Sequence, residues 1–196
     1  MPGVRLAHML IDIRMREGAS GVDGEEHVRQ AYASILSGDY EQAIRAFERA
    51  IAAEPENPAH HHKCSITCMR SALWAKALMH AEEAVRLAPD QAEYRYHLAA
   101  VRARIAVEEA KSGLASADPD YDSVIAGLRL APELDPLLDE AWLLLAAAYG
   151  ALGRYGEAAR AAREALRLNP AHGEAKRLFA DYRRRDRRMR GRKTHQ

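Results

Sequence analysis

Aromatic residues are scarce: they make up 6% of 196 residues, with two tryptophans and two phenylalanines. A chain of this length suits one ordinary domain and is thin for two. Strand-forming runs of Val, Ile and Thr are also missing, which argues against a β-sandwich. Two cysteines cannot frame a disulfide scaffold, and their paucity points to a reducing compartment. No apolar run approaches the roughly 18 residues of a membrane span. The opening MPGVRLAHMLIDIRMREGAS is interrupted by Asp12, Arg14 and Arg16, so it does not read as a signal peptide. The net charge of +1 excludes a strong global field. What the chain has instead is alanine, at 39 positions. An alanine core requires backbones that approach closely, as packed helices do. These features predict a soluble, cytoplasmic, all-α protein.

The helices are expected to repeat. Pro55, Pro89, Pro136 and Pro170 are separated by 34, 47 and 34 residues. Tyr40, Trp74, Tyr121 and Tyr155 keep the same spacing, as do Ala50, Ala84, Ala131 and Ala165, and Ala43, Ala77, Val124 and Ala158. A column set earlier in the unit, Ala31, Ser65, Ala99 and Ala146, runs 34, 34, 47, so 13 extra residues fall between Ala99 and Tyr121. Small residues mark helix crossings. Gly38 and Gly153 suit tight turns that need left-handed backbone. The prolines end the second helix of each unit, because proline cannot continue one.

The segments GDYEQAIRAFERAIAAEPEN (38–57) and DEAWLLLAAAYGALGRYGEAARAAREALRLNP (139–170) resemble the tetratricopeptide repeat. In the second, Trp142, Leu145, Ala146, Tyr149, Gly153, Tyr155, Ala158, Ala165 and Pro170 fall in the family's slots. The resemblance implies a right-handed α-solenoid of about four helix hairpins: 24–57, 58–91, 92–138 with the insertion, and 139–172. Residues 173–196 read as a capping helix, with Ala175, Leu178, Phe179 and Tyr182 on one side, running into a basic tail. Residues 1–23 read as an amphipathic helix striped by Val4, Leu6, Met9, Leu10 and Ile13, joined by a glycine-rich linker (EGASGVDGE, 17–25). That stripe is either the groove's own ligand, an element swapped into a second copy and so a route to self-association, or a plain cap. In the third unit, 92–113 reads as one helix extended by about two turns and projecting as a tab, with a loop over 114–120, a possible cap at Asp118 and Pro119 at a first helical position.

The resemblance implies a scaffold that holds a peptide or amphipathic helix in a concave groove. Transferred slot by slot, the groove comprises Val28, Tyr32, Ile35 and Leu36; His62, Lys63, Ile66, Met69 and Arg70; Tyr96, His97, Ala100 and Arg104; and Leu143, Ala147 and Ala151. Some family members clamp acidic chaperone tails with Lys, Asn and Arg. The matching positions here are Val28, Tyr32, Lys63, Glu93 and His97, and only Lys63 fits.

HHHKCSITC (60–68) places histidines and cysteines at i, i+4 spacing, a pattern that zinc accepts. Cys64, however, shares a column with Leu98 and Leu145, and Cys68 shares one with Tyr149, so both are expected in the core. No phosphate-loop or dinucleotide motif occurs, and no Ser–His–Asp constellation stands out. The expectation is a non-enzyme without metal or cofactor. The rival partner is nucleic acid or an anionic surface. Residues 174–196 carry a net +7 and the rest of the chain −6, so RRRDRRMRGRK (183–193) is a basic arm. No aromatic residue interleaves it, which leaves bases no stacking platform there.

Overall fold

The computed structural model describes residues 24–193, and all regular structure within them is α-helical. The predicted stripe from Val4 to Ile13 lies outside the described residues. The helices are α1 (24–36), α2 (Tyr40–Ala53), α3 (Pro58–Arg70), α4 (Trp74–Leu87), α5 (Ala92–Leu114), α6 (Tyr121–Leu128), α7 (Ala131–Leu134), α8 (Asp139–Ala151), α9 (Tyr155–Leu168) and α10 (Gly173–Lys193). Gly24 and Glu25, expected in the linker, are already helical. The chain divides into two compact units, with the boundary inside α5 between Val101 and Arg102.

The first unit is built on hairpins α1–α2 and α3–α4. Ala31, Ala43 and Ala50 are fully buried where α1 and α2 meet, and Ser65, Ala77 and Ala84 do the same work in the next hairpin. Phe47 fills the space beside them, meeting Tyr32 edge-on at 5.9 Å. Asp39 caps α2 by accepting the Gln42 amide at 2.9 Å. Asn57 caps α3 by accepting the Ala59 amide, with Pro58 in the first turn where no amide partner is needed.

The second unit has its own core of Ala103, Val107, Ala110, Ile125, Leu128, Leu145 and Ala162. α8 and α9 form a hairpin, and α10 covers them with Ala175, Leu178, Phe179 and Tyr182, the side read from the sequence. The extension of α5 is not a projecting tab. Its apolar residues recur at helical spacing, and Val107 and Ala110 are buried against Ile125 and Leu128 of α6. The α5 backbone runs so close to the Val124 side chain that a Cβ on Gly113 would lie 2.9 Å from Val124 Cγ2.

Tyr40, Trp74, Tyr121 and Tyr155 are each the first residue of a helix. Three helix ends share one device. Gly38, Ala72 and Gly153 have φ of +82°, +55° and +70°. In each case the following amide reaches back to the fifth residue before it, as in Leu73 N–H to Cys68 O at 2.9 Å. Two details differ from the sequence reading. The cap of α6 is Asp120, not Asp118. Its carboxylate accepts the Ser123 amide at 3.1 Å and the Ser123 hydroxyl at 2.6 Å, and Pro119 sits before it. The helix expected to run on from Tyr121 breaks after Leu128, because the ring of Pro132 would meet the carbonyl four residues back.

Candidate peptide-binding face

In the first unit the first helices of the repeats stand side by side. α1 reaches α3 through Lys63, whose ammonium lies 5.8 Å from the Tyr32 ring centre. α3 reaches α5 through His62, 3.3 Å from Glu93 and 4.9 Å centre to centre from the His97 ring. The exposed surface along these helices is apolar and aromatic: Tyr32 is 46% exposed, Tyr96 58% and Leu36 89%. Val28, Ile35, Lys63, Ile66, Met69 and Ala100 are half-buried around them, and Arg70 is exposed at the end of α3.

His62 and His97 differ from their expected place on this surface. Both are buried, and they hold α3 to α5 instead. The Ser65 hydroxyl donates to the Ala77 carbonyl at 2.6 Å. It therefore accepts from His97 Nε2 at 2.8 Å. In the second unit Leu143 and Ala147 are half-buried and Ala151 is exposed. Arg104 is committed to Glu140 at 2.5 Å, a carboxylate that Lys111 also meets at 2.6 Å. That pairing was not legible from spacing, since its partners lie 36 residues apart in one case.

The cysteines lie in the core as expected, both fully buried. A hydrogen bond to Cys68 and burial push the Cys64 thiol up, and the same bond holds Cys68 below the ordinary thiol range. Among the described residues no group of three or more His, Cys, Asp or Glu side chains is arranged to hold a metal ion. None of their helices is long and apolar enough to cross a membrane.

Residues 24–57 and 139–172 match the tetratricopeptide repeat family model, and the chain carries this repeat in both places. A solved structure of MamA from AMB-1 has the same fold, with a TM-score of 0.54 at 21% identity over 83% of this chain and 81% of that one. YrrB, described as a TPR protein with an unusual peptide-binding site, aligns at 18% identity over 90% of each chain with a TM-score of 0.49. MamA from Desulfovibrio magneticus RS-1 aligns at 16% identity over 84% of this chain and 96% of that one, with a TM-score of 0.48. No curated protein matches the chain.

Proposed function

We propose that this chain is a cytoplasmic protein–protein interaction scaffold and not an enzyme, and that the face of α1, α3 and α5 in the first unit holds a partner peptide or amphipathic helix. The observation that carries this reading is the exposure of Tyr32 and Leu36 on α1 and of Tyr96 on α5, the two helices that flank α3. Large apolar side chains grouped at the surface mark interaction sites more often than isolated ones do. Lys63 and Arg70 lie seven residues apart on α3, so they flank Ile66 on one side of that helix. A segment with apolar anchors between acidic residues complements such a face.

The test is a quantitative pull-down from the native host. Tyr32→Ala with Ile66→Glu should abolish partner recovery while circular dichroism shows the helices intact. Removal of residues 183–196 should leave recovery unchanged. Recovery that survives the double substitution contradicts the reading.

A second reading rests on a separate observation in the second unit. Arg160 and Arg163 of α9 and Arg183 and Arg190 of α10 line one cleft, where Asp186 is the only acidic side chain among the described residues. Such a cleft suits an acidic ligand or the phosphates of nucleic acid. Binding there should fall steeply with salt and vanish with Arg160→Glu plus Arg183→Glu.

A further inference from the structure

Five histidines of the first unit, His60, His61, His62, His80 and His97, are between 5% and 8% exposed. Three are consecutive at the start of α3, so they point to three different neighbours. His60 turns to the end of α2, with Nε2 3.1 Å from Glu54 Oε2. His61 turns to α4, with Nδ1 3.2 Å from His80 Nδ1. His62 turns to α5, against Glu93, Tyr94 and His97.

The hydrogen bonds fix which nitrogens carry protons. The Pro55 carbonyl can only accept, so His61 Nε2, 3.2 Å away, donates to it. In a neutral ring His61 Nδ1 is then bare and accepts from His80 Nδ1. That leaves His80 Nε2 bare, buried and without a partner. A proton added there creates an N–H with no acceptor and a buried positive charge beside His61. Around His80 stand His61 from α3, Glu48 from α2 and Lys76 from its own helix, and only Glu48 favours the cation. Around His97 stand His62 from α3 and Glu93 from its own helix, and only Glu93 favours the cation. The packing of α4 and α5 on α3 is thus satisfied with neutral imidazoles and is disrupted by cations.

We propose that this histidine cluster is an acid-sensitive latch, and that protonation of His80 and His97 in acid loosens α4 and α5 from α3. Because α3 and the start of α5 carry the apolar face, opening the latch releases a bound segment. That last step rests on the peptide-binding reading above; the opening itself does not.

Burial is the main cause of the low affinity for protons at both rings. It pushes His97 down to about 4, with the neighbouring His62 adding to it, and lowers His80 in the same direction with the help of His61. An unfolded histidine titrates near pH 6.5. Between these values the opened state binds more protons than the closed one, so the closed state is favoured at neutral pH and loses ground as pH falls. For His97 alone the shift from pH 7 to pH 5 amounts to roughly 20-fold in the opening equilibrium.

The chain supplies its own reporter, since its two cysteines both lie buried in α3. Labelling of the full chain with 4,4′-dithiodipyridine, which reacts across this pH range, measures opening without any partner. Rates are divided by those of the urea-unfolded chain at the same pH. The opening constant should rise at least 20-fold from pH 7 to pH 5, and His80→Gln with His97→Gln should cut that rise to below about threefold. Equal protection at both pH values, or an equal rise in the variant, overturns the proposal. Should the double variant fail to fold, imidazole C2–H NMR titration of the wild type decides the matter. Midpoints below 6 at two rings support the latch, and five ordinary midpoints overturn it.

Discussion

Ala72 stands where the equivalent helix ends have glycine. Gly38 and Gly153 adopt φ of +82° and +70°, and Ala72 is held at +55° by the same pair of backbone hydrogen bonds. A left-handed non-glycine residue costs about 1–2 kcal/mol. A glycine costs about 0.5–1 kcal/mol in extra unfolded-state freedom. No heavy atom lies within 4 Å of a Cβ built on Gly38 or Gly153, so packing does not enter the balance. Gly153→Ala should therefore destabilise the second unit by about 1 kcal/mol, and Ala72→Gly should stabilise the first by about 0.5–1 kcal/mol. The chain has two tryptophans, Trp74 in α4 and Trp142 in α8. Urea unfolding followed by fluorescence in Trp142→Phe and Trp74→Phe backgrounds reads the units separately. If Ala72→Gly destabilises as much as Gly153→Ala, the backbone at residue 72 is not left-handed and the reasoning fails.

Phe47→Ala should cost the first unit about 3–5 kcal/mol by urea unfolding, because the ring is fully buried beneath Tyr32. Glu140→Gln should cost the second unit about 1 kcal/mol at pH 7. Burial raises the Glu140 carboxyl, but Lys111 and then Arg104 outweigh it and hold it below the usual carboxylate range. Its contribution is therefore present above about pH 4.5 and lost as pH falls through the lowered value, so the variant should show a flatter stability profile below pH 4. Pro132→Ala should let α6 run into α7, and hydrogen exchange should then show protection at the new amide of residue 132. An unprotected amide there assigns the break to something other than the proline ring.

The hairpins were legible because their signals are local and periodic. The aromatic column Tyr40, Trp74, Tyr121 and Tyr155 fell at helix starts, and the prolines fell just past helix ends. Column alignment also placed Cys64 and Cys68 in the core. The misreadings came from choices between near-equal local signals. Asp118 and Asp120 both precede a helix, and only the distance to Ser123 selects the second. Pro132 is a plain breaker, yet the repeat register carried the reading past it. The tab became core because burial depends on what faces a helix, and the stripe of Val107 and Ala110 acquires its meaning from Ile125 and Leu128. The histidine network was the least legible part. Spacing shows that the His60, His61 and His62 side chains diverge, but not that His61 meets His80, nor that Ser65 orients His97.

Photo-crosslinking addresses the peptide-binding reading most directly. A benzoylphenylalanine introduced at Leu36 or at Tyr96, both exposed in the first unit, samples what rests on that face in the native host. The same residue at Ala126, exposed in the second unit, is the control. One common partner polypeptide should be joined from residues 36 and 96 and be absent at 126. Adducts that form only from residue 126, or equally from all three sites, would contradict the peptide-binding reading.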